Sequence, residues 1–311
     1  MTTVTSSVAP SPAAPAAQGG GLRDWFSLAK PGITGLIVLV AVGGYLLARP
    51  ATVVLLPLGI LVVTGAAGSA GAAMLNHYLD RDLDARMRRT RGRPLPAHRI
   101  DHGGAAAAVG LVLLGGGVAA ATLLLNPLTG LSILLGGVTY VVVYTAWLKR
   151  RSSWNIVIGG FAGSAPVLAG SAAASGTWTD GAVALAVLVF LWTPPHFWSL
   201  ALLLREDYAK VDLPMLPRMD DPAFSGKVVV ASAALLVPAA AGLVGAVSWP
   251  VTVVLVALGL VFVALTGPLW RDTSSRTARR GFLYSGPYLL GVVAAVAANV
   301  LLVRAGVPSA W

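Results

Sequence analysis

Long apolar stretches, each about as long as a lipid bilayer is thick, fill most of this 311-residue sequence. A helix needs roughly 20 apolar residues to cross the hydrocarbon core of a membrane. Because a backbone in lipid must satisfy its own hydrogen bonds, such stretches fold as helices. Apolar runs and the Pro, Gly and charged residues between them predict nine spans, at residues 32–49, 53–79, 103–125, 127–147, 155–175, 181–204, 226–247, 249–269 and 282–303.

The composition agrees with a membrane protein and excludes several other classes. Only 11% of the residues are charged, whereas soluble domains have about 25%. The chain has no cysteine, which excludes disulfides and thiolate ligands. Residues 1–21 carry neither charge nor an apolar core, so we expect a disordered tail. Residues 22–311 are predicted to form one all-α, polytopic membrane domain.

The basic residues indicate how the spans are oriented. The side that holds the N-terminus also holds all of the 22 Lys and Arg residues except Arg49 and Arg304. By the positive-inside rule this side is cytoplasmic, and an odd number of spans puts the C-terminus outside the cell membrane. Attraction of these loops to an anionic leaflet accounts for the net charge of +10. We therefore predict the lipid bilayer as a partner and no nucleic acid.

A cluster of acidic and basic residues, "NHYLDRDLDARMRRTRGR", follows the second apolar run at residues 76–93. If the helix continues through it, Asn76, Asp80 and Asp84 fall at i, i+4 and i+8 and share one face. Asp82 points to the opposite side. One carboxamide and two carboxylates are then aligned at the cytoplasmic end of a span.

This alignment favours a site for a divalent cation. Like charges at i and i+4 cost a helix roughly 0.2–0.5 kcal/mol, and a hard cation offsets that cost. Mg²⁺ prefers carboxylate oxygens together with substrate phosphates. The pattern therefore predicts a platform for a Mg²⁺-bridged diphosphate, and arginines near its phosphates are Arg81, Arg86, Arg88 and Arg89. The alternative is a solvated ion-pair network, but a polar Asn76 inside the apolar run favours function.

A second acidic cluster follows the sixth apolar run, in "LWTPPHFWSLALLLREDYAKVDLPMLP" at residues 191–217. Its acids are Glu206, Asp207 and Asp212, again at a cytoplasmic helix end. Two carboxylate clusters on one membrane face can bracket a single diphosphate while its apolar tail enters the bundle. Ionisation of a prenyl diphosphate requires such an arrangement.

Five motifs in order along residues 24–304 carry a resemblance to a known family. They are "LAKPGIT" (28–34), "NHYLDRDLDARMRRTRGRPLP" (76–96), "YTAWLKRRSSWNIVIGG" (144–160), "LWTPPHFWSLAL" (191–202) and "REDYAKVDLPMLP" (205–217). Together they resemble the heme O synthases, or protoheme IX farnesyltransferases, of the UbiA-type intramembrane prenyltransferases. The resemblance implies nine helices around a central cavity that is open to the cytoplasm.

The resemblance also implies a reaction. Such enzymes transfer a farnesyl group from farnesyl diphosphate to a vinyl group of heme b, with addition of water. The products are heme O and diphosphate. The resemblance suggests heme A synthase or terminal oxidase assembly as the destination of the product.

Residue by residue, the resemblance implies two groups of site residues. Expected ligands of Mg²⁺ and diphosphate are Asn76, Asp80, Asp84 and Asp207. Expected substrate contacts are Lys30, Arg81, Arg88, Lys149, His196, Glu206 and Tyr208. Position 211, where related enzymes often have a second acid, is Val, and Glu206 or Asp212 is left to assist. His196 is either a heme contact or a structural residue, and Lys30 either a substrate contact or an interfacial anchor.

Two rival functions are open at this point. A prenyltransferase for a quinone precursor or another aromatic acceptor would use the same diphosphate chemistry, and only the resemblance distinguishes the acceptor. A transporter would use the acids to couple ion movement. Transporters hold such residues near the bilayer midplane, whereas both acidic clusters here lie at one end, so transport is disfavoured.

Overall fold

The computed structural model describes residues 20–48, 52–100, 102–209, 213, 214, 216 and 221–307. Within these residues nine helices are long and apolar enough to cross a membrane. They are α1 (Pro31–Ala48), α2 (Leu55–Arg86), α3 (Gly103–Leu124), α4 (Pro127–Arg150), α5 (Asn155–Ser175), α6 (Asp180–Leu203), α7 (Pro222–Ala241), α8 (Trp249–Trp270) and α9 (Ser275–Arg304). Short helices at Leu22–Leu28 and Arg205–Ala209 lie before α1 and after α6.

The predicted number of spans is confirmed, but several helices have other limits. The helix α2 continues to Arg86, beyond the predicted limit at residue 79, and α9 begins at Ser275 and not at residue 282. Hydropathy reports where the apolar stretch ends, whereas backbone hydrogen bonding continues into polar residues. Of the predicted tail, only Gly20 and Gly21 are among the described residues.

Side-chain caps define where several helices begin. The Asn126 side chain accepts a hydrogen bond from the backbone N–H of Thr129 at 2.8 Å, and Pro127 occupies the first turn of α4. Asp221 caps α7 in the same way, with a 2.8 Å bond from the N–H of Phe224. Such caps satisfy N–H groups that the first turn leaves free.

The helices α1 and α5 cross with their backbones in direct contact. A Cβ atom on Gly44 of α1 would overlap the carbonyl group of Val167, and one on Gly170 of α5 would overlap that of Ala41. Small residues allow this approach, and dispersion contacts hold helices together in lipid. The crossing brings Ala41 and Ala169 to the apolar end of the cavity described below.

Gly44→Ala should therefore destabilise the protein, by about 1–3 kcal/mol, because the new methyl group has no space. Gly35, in the same helix, has nothing within 4 Å of an added Cβ. There Gly35→Ala should raise stability slightly, since Ala is the better helix former. Thermal unfolding of both variants in detergent measures the difference, and equal unfolding midpoints would contradict the close crossing.

The largest apolar core is formed mainly by the second half of the chain, with α1 added from the first half. It is made by residues of α1 and of α5 to α9, with Phe262, Leu255 and Tyr288 among the fully buried side chains. Large apolar side chains such as Leu111 and Leu123 of α3 stay exposed on the outside. An apolar exterior suits a protein surrounded by lipid tails.

Candidate active site

A cavity of about 440 Å³ lies among α1, α2, α4, α5 and α6. One part of its wall is polar and charged, and is formed by Lys30, Asn76, Asp80, Asp84, Arg89, Arg93 and Lys149. The remainder is largely apolar, and includes Ala41, Leu61, Gly65, Ile133 and Ala169. The cavity thus offers a charged end and an apolar end to one ligand.

The helix α2 places its predicted face toward this cavity. Asn76, Asp80 and Asp84 line the cavity, and each is at most 3% exposed. The Asp82 side chain is 79% exposed and lies near Arg81 at 3.8 Å. The 3.6-residue helical repeat therefore separates the three aspartates of the cluster in the way that the sequence predicts.

Asp80 is the centre of a hydrogen-bond network. Its Oδ2 accepts from the Asn76 side-chain amide at 2.8 Å and from Lys149 Nζ at 2.5 Å. The same Asn76 amide donates to Thr145 Oγ1 at 3.0 Å. The other oxygen, Asp80 Oδ1, is buried without a hydrogen-bond partner in the described part of the chain. A buried carboxylate oxygen that lacks a hydrogen-bond partner fits a cation ligand.

Lys30, which directly precedes α1, adds two hydrogen bonds to this network. Its Nζ donates to Asn76 Oδ1 at 2.6 Å and to the Tyr140 hydroxyl at 3.0 Å. Burial, together with the nearby positive charge of Arg93, lowers the pKa of Lys30 to about 8. The backbone of Lys30 has φ of 47°, a left-handed conformation that is uncommon for a residue with a side chain. Such strain concentrates at binding sites.

The chain that follows α2 returns to the site and places Arg93 on Asp84. Arg93 Nη1 donates to Asp84 Oδ2 at 2.6 Å, and the Thr90 hydroxyl donates to the Asp84 carbonyl at 3.0 Å. Arg93 and Arg89 line the cavity. The sequence indicates Arg89 as one of four arginines near the phosphates but does not indicate Arg93, because a turn without periodicity does not show which of several arginines points inward.

A π-helix at Thr139–Trp147 shapes the wall that α4 contributes. Its i→i+5 repeat differs from that of an α-helix, and Tyr140, Tyr144 and Lys149 all line the cavity. The two tyrosine rings are stacked with centroids 6.1 Å apart. Sequence reasoning missed both tyrosines, since an α-helical repeat does not align them with Lys149.

Tyr208, in Arg205–Ala209, also lines the cavity and belongs to a small apolar cluster with Leu83 and Met87. Burial raises the pKa of Tyr208. Its hydroxyl therefore remains a hydrogen-bond donor at neutral pH.

His196 of α6 is held by residues of α6 and α9. Its Nδ1 lies 2.5 Å from Ser285 Oγ, and its ring stacks on Trp192 with centroids 4.5 Å apart. The Trp192 indole N–H donates to the Ser285 carbonyl at 2.9 Å. His196 lines the cavity.

Other predicted site residues lie elsewhere. Arg81 packs over the Tyr78 ring at 4.3 Å and is absent from the cavity wall. Its position, about 100° around the helix from Asp80, accounts for this. Arg88 and Glu206 are exposed and do not line the cavity either.

The structure describes only part of the second acidic cluster. Asp207 lies in Arg205–Ala209 beside Tyr208, outside the cavity wall, and Asp212 lies outside the described residues. Among the residues that the structure describes, no three His, Asp or Glu side chains gather where one metal ion could contact them all.

The charged and apolar ends of one intramembrane cavity define a class of protein, and comparison with known families agrees. Residues 36–286 match the UbiA prenyltransferase family. The chain belongs to this family and is an integral membrane prenyltransferase.

Curated relatives narrow the class. The chain is 37% identical to the protoheme IX farnesyltransferase of Sulfurisphaera tokodaii over 274 residues, which cover 86% of this chain and 90% of the relative. It is 40% identical to protoheme IX farnesyltransferase 1 of Paramagnetospirillum magneticum over 286 residues, covering 89% and 98%. The resemblance to this branch is confirmed.

Solved structures share the fold. A structure described as a digeranylgeranylglyceryl phosphate synthase in membranes is similar with a TM-score of 0.73 and 16% identity, covering 90% of this chain and 98% of that one. A UbiA homologue from Archaeoglobus fulgidus bound to GPP and Mg²⁺ has a TM-score of 0.67 and 16% identity, covering 88% and 99%. The predicted all-α membrane bundle is confirmed.

Proposed function

We propose that this protein transfers the farnesyl group of farnesyl diphosphate to a vinyl group of heme b, with addition of water, to form heme O and diphosphate. The relatives named protoheme IX farnesyltransferase support this acceptor. The observation that carries the proposal is the half-satisfied, buried carboxylate of Asp80 at the charged end of an otherwise apolar cavity.

We propose that Asn76, Asp80 and Asp84, assisted by Asp207, hold Mg²⁺ together with the diphosphate. Asp80 Oδ1, which has no hydrogen-bond partner in the described part of the chain, is a suitable ligand oxygen, and the homologue that was solved with GPP and Mg²⁺ supports the choice of metal. Bound Mg²⁺ would neutralise the charge that develops on the departing diphosphate.

Cationic side chains at the same end bind the remaining phosphate oxygens. Lys149 and Arg93 each contact one of the two aspartates at 2.5 and 2.6 Å, and they are positioned to share their protons with a phosphate. Lys30 is linked to the same network because its Nζ donates a hydrogen bond to Asn76, whose side-chain amide donates to Asp80. Substrate contacts by Arg81, Arg88 and Glu206 stay predictions. The geometry favours Arg93 and Arg89 for that role.

The apolar part of the cavity receives the farnesyl chain. Its wall is largely made of Ala, Gly, Leu and Ile residues, which shield an allylic cation from bulk water. The stacked rings of Tyr140 and Tyr144 lie along the same cavity. Their electron-rich faces attract a cation.

The site is proposed to face the cytoplasm from the cell membrane. The Arg-rich segment after α2 is next to the charged end, and most basic residues share that side of the predicted topology. Delivery of the product to heme A synthase or to oxidase assembly stays a prediction.

An acceptor assay tests the proposal. Purified protein in detergent is incubated with farnesyl diphosphate, Mg²⁺ and either heme b or an aromatic acceptor, a hydroxybenzoate or a naphthoate. We expect a farnesylated hydroxyethyl heme by mass spectrometry and no prenylated aromatic. Turnover of the aromatic acceptor without any heme product would instead assign the protein to quinone-precursor prenylation.

A further inference from the structure

The proposed reaction releases a proton that some group must accept. The terminal vinyl carbon forms a bond to C1 of the farnesyl group while the bond from C1 to the diphosphate oxygen breaks. The cation left beside the porphyrin then bonds to a water oxygen. That oxygen must lose one proton to give the hydroxyl group. In a largely apolar cavity few groups can accept it.

The cavity wall offers few bases. Among the described residues of that wall the carboxylates are Asp80 and Asp84, which are paired with Lys149 and Arg93. The remaining neutral base is the imidazole of His196, the histidine of the described cavity wall.

The hydrogen bonds around Ser285 define which nitrogen of His196 carries its proton. The Ser285 hydroxyl donates its single hydrogen to the Phe282 carbonyl at 2.6 Å. Its oxygen must therefore accept from His196 Nδ1, 2.5 Å away. The Nδ1–H tautomer leaves a lone pair on Nε2.

The Nε2 atom is available to a ligand in the cavity. No hydrogen bond to it occurs within the described part of the chain, and it is not among the sealed polar atoms that lack a partner there. The ring stacks on Trp192 with centroids 4.5 Å apart, and the Phe282 ring lies tilted against it with centroids 5.4 Å apart. The stacking limits rotation of the ring.

The position of His196 on the cavity wall also suits the reaction. His196 lines the cavity from α6, and Asp80 lines the same cavity from α2. The imidazole and the proposed diphosphate site therefore lie on different walls of one cavity.

We propose that His196 is the catalytic base that takes the proton of the attacking water at Nε2, and that Ser285 is the positioning residue that holds its Nδ1–H. The proposal rests on the proposed function and adds the proton acceptor to it. The proton passes from Nε2 to the released diphosphate or to solvent, which restores the neutral imidazole.

His196→Gln tests the base, because Gln fills a similar space and accepts hydrogen bonds but no proton. Heme b, farnesyl diphosphate and Mg²⁺ are supplied to the wild type and the variant. We expect the rate of hydroxyethyl product to fall by about 10²–10⁴-fold, with the KM for heme unchanged. Residual product should be farnesylated heme that lacks the added water, because the cation instead loses a proton from carbon to the released diphosphate and forms an alkene. Added imidazole should restore hydration in His196→Ala.

Ser285 variants test positioning. Ser285→Ala should lower kcat by about tenfold without changing KM, the effect of one lost hydrogen bond. Ser285→Thr, which keeps the hydroxyl, should retain most of the rate. These variants also decide the matter if His196→Gln does not fold, since an unchanged kcat in Ser285→Ala would overturn the proposal.

Two other results would overturn it. Hydroxyethyl product at the wild-type rate in His196→Gln would mean that the departing diphosphate or solvent accepts the proton. A shift of the Soret band of bound heme in His196→Gln would assign the imidazole to the iron. Failure of the wild type to farnesylate heme would instead refute the proposed function, and is seen before any variant is made.

Discussion

Asp80→Asn should lower the rate of farnesyl transfer by about 10³-fold or more, and Asp84→Asn should have a similar effect. Both carboxylates are buried on the cavity side of α2, and Asp80 Oδ1 has no hydrogen-bond partner in the described part of the chain. The substitution keeps the shape of the side chain but removes the charge that attracts Mg²⁺. Initial rates of farnesylated heme, measured by mass spectrometry at saturating substrates, give the effect.

Asp82→Asn is the matched control. Asp82 is in the same helix and two residues away from both acids, but its side chain is 79% exposed. We expect less than about a twofold change in rate, since an exposed charge contributes little. Equal losses at Asp80, Asp82 and Asp84 would show that the helix face is not what separates them.

Lys149→Met should lower kcat/KM by about 10²-fold or more. Lys149 is the cation that contacts Asp80, at 2.5 Å, and its side chain is only 13% exposed. Its loss removes a proposed phosphate contact and leaves the buried carboxylate of Asp80 without its paired cation, so the thermal unfolding midpoint should also fall. Steady-state rates and unfolding in the same detergent measure both effects.

Arg151→Met provides the comparison for Lys149, because Arg151 is exposed just after α4 and does not line the cavity. Its activity and unfolding midpoint should match those of the wild type. If both substitutions reduce activity equally, then the basic segment acts through its total charge and not through contact with Asp80.

The bundle and one face of the site were predictable because each follows from a repeating constraint. Bilayer thickness defines the span lengths, and the helical repeat puts Asn76, Asp80 and Asp84 together. Helix ends were less predictable, since α2 continues past its apolar stretch to Arg86. Hydropathy alone does not report where backbone hydrogen bonding stops.

The rest of the site depends on contacts that no sequence period encodes. Arg93 reaches Asp84 through an irregular turn, and a π-helix aligns Tyr140 with Lys149. His196 meets Ser285 from another helix. Arg81 was a candidate substrate contact only because it lies in a charged cluster. Its side chain instead packs over the Tyr78 ring, since Arg81 lies on another face of the helix from Asp80.

One helix, α2, contributes to both ends of the cavity, with Asp80 at the charged end and Leu61 in the apolar part. At 1.5 Å per residue the two positions are roughly 28 Å apart along the helix. Their separation is therefore a property of a single rigid element and does not change when loops move. The helix can act as a molecular ruler, so that discrimination among isoprenoids of different carbon number would be altered by the residues of α2 that lie between Asp80 and Leu61 along the cavity.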